Sequence, residues 1–472
     1  MNSVFASAPL AGIVGAALLI LIVEAFFSAK TDGFPAPIGV FALAVSSILG
    51  FRSWGKASFF FGGRLILDNF SIIFLALLAL MGVLTILIGL KYVDRHGIES
   101  GPFHVLLLLA VSGAVIMVSS PDLIVIFLGL EVLSVASYAL AGLKREDPRS
   151  AESAAKFFMI GSLAGAFLVF GLAFLYGAAG SLDMATVSAL LRRTPPSWMA
   201  LAGLGFVLVA FGFKIVIVPF HMWAPDVYEG APTPITAFFS VVPKAAGFAV
   251  LLRFLGPLST GAGMPAQLRW LLGASAALTM LVGNLAALRQ RNIKRILAYS
   301  SIAHSGYALI AVVSGDGPGL TFYLVVYAFM NIGAFSAVVA LERSGKERLD
   351  LDEFAGVGLA SPWIGAMLSV FLLSLAGFPP TGGFLAKFLV FETAVERGLS
   401  GLVIIAVLAS LVSVYYYLRI IVIMYMSPSP GEVDLEAQPG ILLSLFFCLY
   451  AVVQLGIAPG NILAFIRQAM NF

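Results

Sequence analysis

Apolar runs of about twenty residues recur along the whole chain, with short polar loops between them. Fourteen can be drawn, at 8–28, 36–51, 66–90, 103–119, 122–142, 153–178, 199–219, 234–254, 268–288, 295–314, 319–341, 361–396, 401–426 and 438–460. A run of that length matches the thickness of a bilayer's hydrocarbon core. The pattern therefore predicts an all-α integral membrane protein of about 14 transmembrane helices. Span 2 is short, and span 12 is too long for one pass and carries FPPTGG (378–383) in its middle. Spans 4 and 5 are parted only by SSPD (119–122), a tight turn. No basic residue precedes the first run, so it reads as a retained helix rather than a cleaved leader. No linker is long enough to separate soluble domains, and 1–472 reads as one polytopic membrane domain.

Composition agrees. The 472 residues are 60% hydrophobic and 11% charged, with a mean hydropathy of +1.03. A soluble domain carries about 25% charged residues, so most of this chain belongs in lipid. A net charge of +3 does not suggest a nucleic-acid partner. The single cysteine, Cys448, rules out an intrachain disulfide and any all-cysteine metal or iron–sulfur site. Thirteen Lys and Arg residues, from Lys30 to Arg348, follow odd-numbered spans, and nine, from Arg52 to Arg467, follow even ones. The bias places odd loops in the cytoplasm and both termini outside.

Five basic residues remain inside or at the edges of spans: Lys156, Lys214, Lys244, Lys387 and Arg419. A charge at a helix centre costs roughly 2.5–3.5 kcal/mol on insertion scales, and much less near an end, where a long side chain reaches the headgroups. Arg419 and Glu24 lie close enough to span ends for that bland reading. Lys156, a turn from KREDPRSAE (144–152), is open to either. Glu131, Lys214, Lys244 and Lys387 lie deep. Each could be half of a buried ion pair that merely fixes packing, but such pairs stabilise poorly beside apolar residues of similar size. Burial disfavours a lysine's charged form and a nearby carboxylate favours it. A lysine whose partner approaches or withdraws thus changes its hold on a proton, and a row of such groups is a proton relay. His221 and His304 are secondary candidates, since imidazole titrates near neutral pH. His221 could equally bond carbonyls freed by the adjacent break.

Breaks accompany the charges. Pro219 follows Lys214 in FKIVIVPFHMW (213–223), and Pro379 and Pro380 precede Lys387. Proline removes a backbone donor and interrupts a helix, which a membrane tolerates where protein or water surrounds the freed groups. The broken spans are 7 and 12. Their offset of five is odd, which reverses orientation, so helices 4–8 and 9–13 are candidate inverted repeats. The corresponding divisions are 1–100, 101–255, 265–427 and 438–472. No phosphate-binding G-x-x-x-x-G-K-[ST] loop and no dinucleotide fingerprint occurs, so any energy source is an ion gradient or a partner.

FKIVIVPFHMWAPDVYEGAPTPITAFFSVVPKAAGF (213–248), NIKRILAYSSIAHSGY (292–307) and SLAGFPPTGGFLAKF (374–388) closely resemble the antiporter-like membrane subunits of respiratory complex I, in particular the bacterial N-subunit branch. The resemblance covers nearly the whole chain. It implies fourteen helices with two inverted five-helix repeats and broken helices 7 and 12. It implies a Glu131–Lys214 pair, Lys244 as central lysine, Lys387 as exit-side lysine, and a role for Lys156. The M branch carries glutamate where Lys387 stands, and the L branch adds a long lateral helix. Multisubunit sodium/proton antiporters share the broken-helix pattern and are the main rival reading, followed by a purely structural subunit. The resemblance implies no metal and no cofactor in this chain. It places quinone, NADH, FMN and iron–sulfur clusters in partner subunits, with other membrane subunits of complex I as neighbours in a bacterial inner membrane.

Overall fold

A computed structural model describes residues 2–27, 33–192, 197–259, 264–342, 346–428 and 438–470. The first three spans are α1 (Asn2–Phe27), α2 (Pro35–Phe51) and α3 (Asn69–Arg95), with a small antiparallel hairpin, β1 (Ser58–Phe60) and β2 (Leu65–Leu67), between the second and third. Then follow α4 (Ser100–Val118), α5 (Leu123–Ala141), α6 (Pro148–Ala179), the short α7 (Met184–Leu191), α8 (Trp198–Lys214), α9 (Ala224–Gly230) and α10 (Thr233–Ser259). The second half comprises α11 (Ala266–Ala287), α12 (Ile293–Ser314), α13 (Gly317–Ala340), the one-turn α14 (Val357–Ala360), α15 (Pro362–Ala376), α16 (Gly382–Glu396) and α17 (Ser400–Met426). The chain ends in α18 (Pro439–Ile457) and the amphipathic α19 (Gly460–Met470). The hairpin, α7 and α19 carry no signal of membrane length and were not foreseen from the apolar pattern.

Helix starts follow local chemistry. Asp68, Asp122, Asp147, Asp183, Ser197, Asn292 and Asp316 each accept from a backbone N–H in the first turn of the helix behind them, satisfying donors that have no intrahelical partner. Gly180 and Gly315 end α6 and α12 in the left-handed region, at φ 71° and 70°.

Among the described residues, eleven helices are long and apolar enough to cross a membrane, and Pro35–Phe51, Trp198–Lys214 and Pro362–Ala376 are shorter apolar helices. Helices α10 and α13 form the centre, with 100% of their apolar windows buried, whereas α1 and α17 bury only 28%. The outer helices leave large apolar side chains uncovered, among them Trp270, Trp363 and Met426. Such apolar surface suits lipid or a neighbouring membrane subunit rather than water.

Two of the apolar runs are interrupted at prolines, whereas α10 continues through Pro243. Helix α8 stops at Lys214 and α9 begins at Ala224, with Pro219 between them. Helix α15 stops at Ala376 and α16 begins at Gly382, with Pro379 and Pro380 between them. The peptide bonds before Pro219 and Pro380 are cis.

Several helix pairs pack through glycine so that their backbones nearly touch, α6 and α8 at Gly171 and Gly203 among them, and two such pairs correspond in position. A Cβ on Gly113 of α4 would lie 2.5 Å from the Leu133 nitrogen of α5. One on Gly283 of α11 would lie 2.7 Å from the Ala303 nitrogen of α12. These pairs are spans 4 and 5, then spans 9 and 10, again five apart.

Candidate functional site: a buried polar row between two helix breaks

The carboxyl end of α8 is where the row begins. Lys214 is its last residue and is 2% exposed. A cation suits that position, because the carbonyl end of a helix carries partial negative charge. Its Nζ donates to Ser134 Oγ on α5 at 2.9 Å, and Ser134 in turn donates to the Leu130 carbonyl. Glu131 lies one turn before Ser134, half-buried, with its carboxylate packed against Gly165 of α6. The implied Glu131–Lys214 pair is thus not a contact ion pair. The lysine is held by the serine beside the glutamate, and the carboxylate is near enough to act on it electrostatically.

Lys214 next meets α10. A Cβ on Gly247 would stand 2.7 Å from the Ile215 side chain and 3.8 Å from Lys214 Cγ, so glycine lets Ile215 pack closely here, and the lysine stem lies beside α10 at ordinary contact distance. Lys244 is one turn before Gly247 and is 2% exposed. It donates to both the carbonyl and the hydroxyl of Ser301 on α12. Ser301 Oγ also accepts the Tyr327 hydroxyl of α13 at 2.7 Å, and Tyr228 of α9 approaches to 3.5 Å.

One turn further along α12, His304 Nδ1 bonds the Tyr323 hydroxyl at 2.7 Å. Its ring lies 5.1 Å from that of Tyr327 and also faces the Leu375 carbonyl at the end of α15. That same carbonyl accepts from Lys387 Nζ at 3.0 Å, as does the Ala376 carbonyl, and Ser410 Oγ of α17 completes the shell at 2.8 Å. Lys387 is 5% exposed and sits 4.9 Å from the Tyr307 ring centre. At the second break the carbonyl end of α15 therefore meets a buried lysine, a cation suited to acceptors that the break frees. At the first, Lys214 itself ends α8 and Ser134 takes up its ammonium.

The structure joins Lys244, His304 and Lys387 through shared hydrogen-bonding partners, packs Lys214 against α10 one turn from Lys244, and puts Glu131 one turn from the serine that holds Lys214. Two secondary candidates lie apart from these groups. Lys156 pairs with Glu152 at 2.6 Å and Asp226 at 2.8 Å, in a partly exposed cluster completed by Arg295 and Glu229. His221 lies inside the first break, its ring facing the Pro219 carbonyl. Arg419 reaches the Leu288 and Gln290 carbonyls at the end of α11, and Glu24 packs on Gly101 at the start of α4. The sequence reading missed Ser134, Ser301, Ser410, Tyr228, Tyr323 and Tyr327. The concentration of hydroxyls in AYSSIAHSGY (298–307) was the available signal for α12. It also treated Lys294 as a loop residue, whereas Lys294 is fully buried in the first turn of α12.

A multi-pass helical membrane protein with two interrupted helices and a row of buried lysines between them belongs to the class that moves ions through its own interior. Residues 120–413 match the family model for NADH:quinone oxidoreductase/Mrp antiporter transmembrane proteins. The chain is 41% identical over 460 residues to subunit N of NADH-quinone oxidoreductase from Trichlorobacter lovleyi, covering 96% of this chain and 94% of that protein. It superposes on a chain of respiratory complex I from Thermus thermophilus with bound aureothin at a TM-score of 0.83 and 33% identity, covering 97% and 98% of the two chains. A chain of the Mrp complex from Dietzia sp. DQ12-45-1b shares the fold, with a TM-score of 0.84 at 19% identity, covering 98% and 96%. The chain belongs to the NADH:quinone oxidoreductase/Mrp antiporter family.

Proposed function

We propose that this chain is the proton-translocating membrane subunit of an NADH–quinone oxidoreductase, moving protons through the Glu131–Lys214–Lys244–His304–Lys387 row. The single observation that carries this is the close succession of polar groups from Lys214 to Lys387. Lys244 and Lys387 are joined through the Ser301 and Tyr327 hydroxyls, the His304 imidazole and the shared Leu375 carbonyl, and the Lys214 stem packs against α10 one turn from Lys244. The chain has no redox centre of its own, and no cluster of three or more metal-ligating side chains occurs among the described residues. Quinone, NADH, FMN and iron–sulfur clusters belong to partner subunits in this reading, and other membrane subunits are the neighbours.

In this mechanism, a change in the partners alters the balance between Glu131 and Lys214. Because Ser134 stands between them, a small rotation of α5 or α8 suffices to exchange the serine contact for the carboxylate. Drawing Lys214 toward Glu131 strengthens its hold on a proton, and withdrawal weakens it, releasing the proton toward Lys244. Ser301 and His304 carry it on, and Lys387 releases it on the opposite face. Fourteen crossings, inverted repeats over helices 4–8 and 9–13, and the divisions at 1–100, 101–255, 265–427 and 438–472 are part of this reading. The five-span offset of both the breaks and the glycine contacts supports them. An inner-membrane location with both termini periplasmic follows from the distribution of basic residues.

Tagging the carboxyl terminus and extracting the chain gently from its native membrane tests the assignment. NADH–quinone reductase activity should co-purify, with flavin and iron–sulfur spectra. A clean preparation lacking both, but carrying other membrane subunits, points instead to a sodium/proton antiporter, the reading that the shared Mrp fold keeps alive.

A further inference from the structure

Outside the row, a second set of charges is buried where the loops after spans 3, 5, 9 and 11 meet. Glu347 is its hub. It accepts hydroxyl hydrogen bonds from Tyr92 of α3 and Thr233 of α10. It also pairs with Lys144 at 3.3 Å and with Lys294 at 3.9 Å. Lys294 donates to the Ala231 carbonyl at 2.6 Å. Beside this hub lies Glu342, 5% exposed, with neither carboxylate oxygen hydrogen-bonded. The nearest ring nitrogen, His96 Nε2, is 3.9 Å away and is likewise buried without a hydrogen bond. A buried carboxyl without donors is costly, and packing alone gives no reason for it.

Position supplies the reason. His96 and Lys144 also line an open polar cavity of about 470 Å³ together with Glu99 and Arg145, so one side of the cluster meets solvent. On the other side, Lys294 is seven residues before Ser301 on α12, two turns on the same face, or about 10 Å. Ala231, which holds Lys294, is three residues from Tyr228, whose hydroxyl approaches Ser301. The cluster thus lies between water on one side and, about two turns away along α12, the hydroxyl that binds Lys244.

We propose that this cluster is the proton-loading site of the relay, with Glu342 taking protons from the cavity and Lys294 delivering them along α12 to Lys244. The inference rests on the reading of Lys244 as a relay group. One proton moves at each step. Lys294 gives its proton through the Tyr228 and Ser301 hydroxyls to neutral Lys244 and becomes a neutral amine. Protonated Glu342 then restores Lys294 and is left as a carboxylate, which refills from the cavity. Glu347 stays anionic and holds Lys144 and Lys294 in place.

The two glutamates are set up for these different tasks. Burial, reinforced by the Glu347 charge, pushes the Glu342 carboxyl up to about 8, against the pull of Lys144, Arg95 and Lys294. The same burial acts on Glu347, but Lys294, Lys144 and the Thr233 and Tyr92 hydroxyls hold it well below the usual carboxylate range. Glu342 is therefore protonated at neutral pH and loses its proton as pH rises through about 8, whereas Glu347 never gains one.

The test uses the assembled complex in vesicles, reading protons moved per NADH oxidised as pH is varied on the uptake side. The parent ratio should fall as pH passes through about 8. Glu342→Gln should lower the ratio at neutral pH and abolish that inflection, and Glu342→Asp should restore the ratio with a displaced inflection. If the Glu342→Gln profile superimposes on the parent while Lys244→Ala lowers the ratio, the loading site is wrong and the relay stands. If Lys244→Ala leaves the ratio intact, the relay reading itself falls. Should Glu342→Gln not assemble, an unshifted inflection in Glu342→Asp overturns the proposal.

Discussion

Lys214 is stabilised in a dry site by one neutral donor–acceptor, and that makes Ser134 the residue on which its behaviour turns. Ser134→Ala removes the one side-chain hydrogen bond of Lys214 Nζ among the described residues. Leaving a buried charged group without its partner costs about 1.5–3 kcal/mol, and the ammonium can recover part of that only by moving toward Glu131. The expected outcome is assembly with reduced proton movement per NADH oxidised. Glu131→Gln combined with Ser134→Ala should lower it further. Unchanged coupling in the double variant would show that neither residue controls Lys214. The charges of this site were legible in the sequence because a lysine in an apolar run is conspicuous. Its hydroxyls were not. A serine or tyrosine is ordinary in a membrane helix, and which of them faces a lysine depends on how helices rotate against each other. Lys294 was missed for the opposite reason: near a helix end it looked like a solvated charge, and only folding buried it.

At the scale of elements, the second break depends on how closely α15 and α16 approach. A Cβ on Gly383 would fall 1.9 Å from the Ser374 carbonyl oxygen, a backbone atom that cannot turn aside. Gly383→Ala must push the two half-helices apart, and overpacking of this kind costs about 1–3 kcal/mol. It should also displace the Leu375 and Ala376 carbonyls from Lys387. A lower melting temperature of the purified complex, with reduced proton movement, is expected. Gly205→Ala is the matched control. Nothing lies within 4 Å of the added carbon, and alanine in a helix interior gains about 0.5–1 kcal/mol over glycine. Equal effects at the two positions would contradict the packing account. Both breaks were readable from proline. Where each helix actually stops was not, because α8 ends five residues before Pro219, at a turn whose Val218 amide is taken up by Thr279 of α11.

Across the whole molecule, loops after odd spans meet at the Glu347 cluster, and the opposite face gathers the rest. There the hairpin packs on Ala6 of α1, Phe465 of α19 stacks on Trp54 just beyond α2, and Arg253 binds Asp68 through two hydrogen bonds at 2.9 and 3.0 Å. Contacts of the two end regions thus gather on one face, as the proposed even number of crossings requires. In the proposed reading, the excess of basic residues after odd spans makes that face periplasmic. An alkaline phosphatase fused after Phe472 should be active and a fluorescent protein fused there dark; the reverse would invert the direction of the relay. The all-helical, many-times-spanning character was legible from hydropathy, since a bilayer fixes element length. The assembly of polar groups into one path was not, because it arises from contacts between residues far apart in the chain.

The most direct test of the central claim is the ratio of protons moved to NADH oxidised for Lys244→Met in the reconstituted complex, measured against the parent and against the gently tagged chain. Methionine preserves the length and most of the packing of the lysine while removing its proton. The account predicts a lower ratio in a complex that still assembles. A ratio equal to the parent's would mean that protons do not pass through this row.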